Sequence, residues 1–211
     1  MSQIILEDIC KSIKGRLVLD SVSLTLDAGG VYGFHGANGS GKTMLFRAIV
    51  GLIRLDRGLV TVFSKRIGID TTFPRSLGIV IERVGFWDEY TGYINLKLLA
   101  SIKHEINKED IQKALTRVGL DYDDKRPYRK YSLGMKQRLG IAQAIMERPE
   151  LILLDEPTNA LDTSGLELVY DLIREEQQRG ATILIASHAI DEINALCCRR
   201  FEISEGRVHE G

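Results

Sequence analysis

Two hydrophobic rhythms run along this chain, and the change between them divides it. Val22, Leu24 and Leu26 stand two apart with polar residues between, the spacing of a strand with one buried face. Ile4-Ile5-Leu6 and Leu17-Val18-Leu19 are shorter apolar runs separated by the polar, glycine-bearing Lys11–Gly15, and Asp27–Gly30 reads as a turn. The chain up to Gly30 therefore predicts an antiparallel β layer. Val31–Phe34 follows as a buried strand and Met44–Val50 as a helix. A turn-rich exit over Gly51–Gly58 leads to two strand candidates, Leu59–Val62 and Leu77–Ile81, the second ending at Glu82.

From about Asp88 to Lys130 the period becomes helical. Asn95–Lys103 predicts one helix. Asn107, with Asp110 three residues on, caps another whose Ile111, Leu115 and Val118 share a face. The charged Asp121–Lys130 reads as a solvated linker. Ser132 stands as an N-cap before Leu133–Glu147, and Pro149 closes that helix. Leu151–Leu154 is an uninterrupted apolar run, suited to a parallel strand buried on both faces. Ser164–Arg179 and Ala189–Leu196 predict helices. Ala181–Ala186 predicts a core strand ending at Ser187-His188, and Phe201–Ile203 with Arg207–Val208 a terminal hairpin about Glu205-Gly206.

The candidate chemistry lies where these elements meet. Gly36-Ala37-Asn38-Gly39-Ser40-Gly41-Lys42-Thr43 fits G-x-x-x-x-G-K-S/T between a strand and a helix. Its glycines let the backbone turn several N–H groups toward one anion, and the new helix adds the positive end of its dipole. Lys42 supplies a point charge for the β- and γ-phosphates, and the Thr43 hydroxyl is a hard oxygen ligand for Mg²⁺. The pattern predicts a nucleoside triphosphate site on an α/β P-loop NTPase core. The sheet should be mainly parallel, with the antiparallel β layer in front and the helical segment inserted. It leaves open which machine the nucleotide drives, since kinases, GTPases and motors share the loop.

Asp155-Glu156 ends the apolar run, which puts two carboxylates at the C-terminal edge of the sheet, where ligands bind in open α/β folds. Asp155 suits Mg²⁺, and Glu156 could orient or deprotonate a water. His188, ending the neighbouring strand, could reach the same γ-phosphate. His35, His104 and His209 carry no such placement.

Composition narrows the setting. Lys and Arg total 28 against 29 Asp and Glu, a net charge of −1, so nothing calls for nucleic acid. Cys10, Cys197 and Cys198 lack metal-ligand spacing and read as buried or partly buried thiols in a reducing compartment. No apolar run approaches membrane-spanning length, so a soluble protein is expected whose membrane role would need a partner. At 211 residues the chain suits one domain over 1–211. Within it, 1–87 would hold the β layer and phosphate-loop part of the core, 88–135 the helical insertion and 136–211 the rest of the core.

The phosphate loop, Ser132-Leu133-Gly134-Met135 opening a helix, Leu151–Pro157, Asn159–Asp162 and His188 occur in the order of the ATP-binding subunits of ABC transporters. The resemblance spans essentially the whole chain. Tyr131–Arg138 looks most like the bacitracin and lantibiotic-immunity export branch. The resemblance implies an ABC ATPase that binds ATP and Mg²⁺ and dimerises head to tail with a second ATP-binding subunit. Ser132 and Gly134 would then face the phosphate loop of the other copy, and His188 would sense the γ-phosphate. Asn159–Asp162 would contact the opposite subunit, and the helical insertion would grip transmembrane permease subunits at the inner face of the membrane.

Three features depart from the family pattern. Tyr-Ser-Leu-Gly-Met replaces the usual Leu-Ser-Gly-Gly-Gln, Glu82 replaces a glutamine at the metal, and Ile13 stands where an aromatic ring would stack on adenine. Metal binding should survive the second change, with Glu82 itself a ligand, and the third implies loose base selectivity. Two other readings fit the same residues: a soluble ABC-type ATPase working on nucleic acid or a protein assembly, and a regulatory module that binds nucleotide without productive turnover.

Overall fold

A computed structural model describes residues 3–82 and 85–211. Strands β1 (Gln3–Ile13) and β2 (Arg16–Asp27) pair antiparallel, and β1 also pairs with β4 (Arg57–Val62), which carries the short β5 (Lys65–Arg66), giving the order β2-β1-β4-β5. The two short apolar runs expected at each end of Lys11–Gly15 are parts of long strands, and only Lys14-Gly15 turns between them. The alternation is broken by Asp8 and Ser21, both left-handed (φ 48° and 52°), and the register shifts there. A bulge moves the following side chains to the other face, which hides one strand as two.

The second sheet runs β10-β9-β3-β8-β7-β6. Its members are β3 (Val31–His35), β6 (Leu77–Val80), β7 (Leu151–Asp155), β8 (Thr182–Ser187), β9 (Arg199–Ser204) and β10 (Arg207–Glu210). All pair in parallel except the β9–β10 hairpin. The continuous apolar run of β7 follows from burial on both faces: Leu151 and Leu153 enter one core cluster, Ile152 and Leu154 the other. The first cluster joins the parallel sheet to the antiparallel one, with helix α1 (Lys42–Ile49) between them through Leu45, Phe46 and Ile49. Phe34 of β3 fixes this layer, stacked on Phe201 (ring centroids 5.1 Å apart) and edge-on to Phe46 (5.6 Å).

The second cluster gathers α2 (Gly92–Lys103), α3 (Lys108–Arg117), α4 (Leu133–Ile145), α5 (Thr163–Gln178) and α6 (Ile190–Leu196). Asn107 and Asp110 form the expected capping box of α3. Helix α2 starts earlier than its apolar pattern suggests, capped by Thr91. Asn95, expected to open it, is fully buried and bonds the Trp87 N–H and the Trp87, Tyr90 and Thr91 carbonyls. Asp162 caps α5, which starts one residue earlier than expected, at Thr163. The charged stretch before Ser132 is not wholly a solvated linker, because Tyr128 and Tyr131 within and beside it are buried. Cys10 and Cys197 are partly buried, and burial pushes the Cys197 thiol up to about 12; Cys198 is exposed, against expectation. Among the described residues no helix is long and apolar enough to cross a membrane.

This topology sets the site. The C-terminal ends of β3, β8, β7 and β6 share one sheet edge, and they release in turn the phosphate loop, His188, Asp155-Glu156 and Glu82.

Candidate nucleotide site

Between β3 and α1, Gly36, Gly39 and Gly41 take φ of 154°, 79° and 117°. Gly36 also lies so close to the C-terminal hairpin that a Cβ there would stand 2.2 Å from the Ile203 carbonyl oxygen, so only glycine fits. The hairpin backs the loop further: the Gly206 N–H donates to Ser40 O (3.0 Å), and the Asp20 N–H to Gly206 O (2.9 Å). Ser40 points inward, with its N–H on Ala37 O (3.1 Å) and its hydroxyl buried. Gly36 and Ser40 thus shape the loop from behind. Asn38, Gly39, Gly41, Lys42 and Thr43 line a cleft of about 630 Å³.

Helix α1 opens at Gly41 with no side-chain cap and no acidic residue in its first turn. Its leading N–H groups and dipole are therefore left for an anion. Lys42 is only 6% exposed; its ammonium donates to Gly36 O (2.7 Å) and Ala37 O (3.2 Å) and stands 3.9 Å from Glu156 Oε1. The Thr43 hydroxyl donates to Asp155 Oδ2 at 2.6 Å. Burial raises the Asp155 pKa, the Thr43 bond lowers it and the neighbouring Glu156 charge raises it again. A cation would relieve that buried charge. Among the described residues no three His, Cys, Asp or Glu side chains gather as a metal cage. Thr43 and Asp155 would hold a metal only with phosphate and water oxygens, the habit of Mg²⁺. The residues fit a nucleotide with its metal.

Glu156 follows β7 in the left-handed region (φ 51°), a conformation costing about 1–3 kcal/mol for a non-glycine residue that persists only where the surroundings hold it. Its N–H donates to Ala186 O of β8 (2.7 Å), and its Oε2 meets His188 Nδ1 at 2.7 Å. Gln137 of α4 fixes the same segment, its amide donating to the carbonyls of Glu156 and Pro157, both at 3.1 Å. Glu82, expected as a metal ligand, lines the cleft, and its carboxylate is paired with Arg47 of α1 at 2.9 Å.

Ser132 caps α4, accepting the Met135 N–H at 3.2 Å. Gly134 packs on its own chain's Asn159–Asp162 turn, where a Cβ would come 3.0 Å from Ala160 O. The cleft wall on this side is Leu133, Gln137, Asn159 and Ala160, so Ser132 and Gly134 are not brought onto the chain's own phosphate loop. Gln137, and Arg16 and Val18 of β2, line the cleft without any local pattern to mark them, the last two where Ile13 was expected to matter.

Comparison with known proteins places this geometry. The ABC transporter family matches residues 19–159. The chain is 45% identical over 201 residues to the uncharacterised ABC transporter ATP-binding protein YybJ of Bacillus subtilis (strain 168), covering 95% of this chain and 92% of that one. It is 37% identical to the bacitracin transport ATP-binding protein BcrA of Enterococcus faecalis, covering 97% of this chain but 66% of that protein's length. It is 34% identical to the lantibiotic transport ATP-binding protein SrtF of Streptococcus pyogenes, covering 96% and 87%. Among solved structures, an ATP-binding cassette captured as a post-hydrolysis dimer with ADP and Pi superimposes with a TM-score of 0.89 over 99% of this chain and 97% of its own, at 22% identity, a likeness of fold. The chain belongs to the ABC transporter family, as an ATP-binding subunit of its ATPase class.

Proposed function

We propose that this chain hydrolyses ATP as one of two such subunits driving a membrane exporter of a peptide, antibiotic or other amphiphile. The observation that carries the reading is the gathering of Lys42, the Thr43–Asp155 pair and Glu156 in one cleft at one sheet edge, with His188 bonded to Glu156 from beside it. Lys42 and the α1 N-terminus bind the phosphates. Thr43 and Asp155 would hold Mg²⁺, which when bound supplies charge neutralisation on the transferring group. Glu156 orients and deprotonates the attacking water, and His188 fixes the Glu156 carboxylate. Bacitracin and lantibiotic transport proteins among the relatives support a peptide or antibiotic as the cargo.

A second ATP-binding subunit, another copy or a related chain, supplies the far side. Ser132 and the exposed start of α4 would meet its phosphate loop, as a helix N-terminus meets an anion. Turnover should then depend on assembly. Steady-state phosphate release per subunit is expected to rise with protein concentration before levelling. A rate per subunit that stays flat down to nanomolar protein would remove the two-chain site.

The inserted helices would seat the transmembrane permease subunits and hold the chain at the cytoplasmic face of the membrane. Ile94, Leu98 and Ile102 repeat every four residues along α2 and are exposed, as are Trp87 and Tyr90 just before it. Ile94→Asp with Leu98→Asp should leave basal hydrolysis by the isolated subunit intact and abolish co-purification with the permease. Retained co-purification would move that contact elsewhere.

A further inference from the structure

We infer that Glu192 is a positioning residue for the Glu156–His188 pair, a role resting on the hydrolytic reading above. Glu192 lies in the first turn of α6 and is only 3% exposed. Its Oε2 accepts two hydroxyls from different parts of the chain: Ser187 Oγ at 2.6 Å and Thr158 Oγ1 at 2.9 Å. Ser187 is the last residue of β8 and immediately precedes His188. Thr158 lies two residues beyond Glu156, at the entry to the Asn159–Asp162 turn. One carboxylate therefore ties together the two segments that carry the pair.

A buried charged group is costly unless its environment uses it. Oε1 of Glu192 is buried without a hydrogen-bond partner among the described residues, so a hydrophobic side chain would be the cheaper filler if packing were the only demand. Burial raises the Glu192 pKa, its two hydroxyl bonds lower it, the Glu156 charge raises it and His188 lowers it. The Ser187 hydroxyl, while donating to Glu192, accepts the Ala189 N–H at 3.1 Å, which shapes the backbone on both sides of His188. Glu156 is itself held in a left-handed conformation, and such a residue keeps its aim only if its neighbours over-determine it. Gln137 grips the segment from α4; Glu192 grips it from α6.

Nothing in this contact touches the phosphate loop, so its loss should spare binding. Glu192→Ala is expected to lower kcat about tenfold or more, within the range of general-base assistance, while ATP affinity by calorimetry shifts less than about twofold. Glu192→Gln should recover most of kcat, because an amide oxygen still accepts both hydroxyls. Residues acting through one pair are non-additive, so adding Glu192→Ala to His188→Ala should cost less than about a further twofold. In the nucleotide-free protein, the ring ¹⁵N shifts of His188 should move in Glu192→Ala and return in Glu192→Gln.

Unchanged His188 shifts, unchanged kcat, additive losses, or equal losses in the Gln and Ala variants would each overturn the assignment. If Glu192→Ala does not fold, Thr158→Val removes one of the two donors at constant shape, and the same shifts and the same kcat-against-affinity split are read there. A His188→Ala protein with full activity would instead defeat the hydrolytic reading of the pair, and the shift measurement on Glu192 variants would still stand by itself.

Discussion

Glu156→Gln should bind ATP like the parent protein and hydrolyse it at least about a hundredfold more slowly, the scale of lost general-base help. The expectation comes from where the carboxylate sits. Its backbone is fixed by the Ala186 carbonyl and by Gln137, so the amide replaces the acid without shifting the chain. Its oxygens lie 2.7 Å from His188 Nδ1 and 3.9 Å from Lys42 Nζ, at the junction of the phosphate loop and the strand that carries the histidine. The substitution removes a proton acceptor while Lys42, Thr43, Asp155 and the α1 N-terminus remain. Calorimetry with ATP and single-turnover phosphate release separate the two quantities. A variant retaining near-normal turnover would take Glu156 out of the water-activating role and leave His188 without the partner it is held against.

Lys42, Thr43, Asp155 and Glu156 were legible as candidates because each is announced by its immediate neighbours, whereas His188 stood out only by its place at a strand end and by the family resemblance. A glycine-spaced loop between an apolar strand and a helix, and polar residues at the end of apolar runs, are local patterns, and the parallel sheet then brings their ends to one edge. Arg16 and Val18 were not legible, since they reach the cleft from an antiparallel strand whose alternation is broken by the bulges at Asp8 and Ser21. Nor could the sequence show that Gly206, near the C-terminus, supports Ser40 from behind. Glu82 illustrates a subtler limit. Its position at a strand end was readable, but its pairing depends on Arg47 projecting from a helix far away in sequence. Gln137 and Glu192 escaped for the same reason: each is an ordinary polar residue on a helix until its partner segment is known.

Lys42→Ala is expected to abolish measurable ATP binding, a loss of at least about a hundredfold in affinity if hydrogen bonds to a charged group contribute about 1.5–3 kcal/mol each and two phosphate contacts go. The buried position of the ammonium makes this more severe than removal of a surface charge. In the nucleotide-free protein it is satisfied by the Gly36 and Ala37 carbonyls, which curl the loop around it. Truncation deletes the charge and also takes that donor from both carbonyls, so two further variants apportion the effect. Lys42→Met keeps the aliphatic stem and should bind as poorly as Lys42→Ala, showing that the charge is what matters. Lys42→Arg keeps the charge but replaces a compact ammonium by a planar fork, and should also bind weakly because the loop closes around a point donor. Thermal unfolding without nucleotide tells whether any variant has lost the loop's fold and not just its ligand. Unaltered ATP affinity in a folded Lys42→Ala protein would overturn the phosphate-loop assignment. Set against Glu156→Gln, the expected outcomes are opposite in kind, with binding lost in one and turnover lost in the other. That contrast is what a single cleft divided between holding the phosphates and activating a water requires.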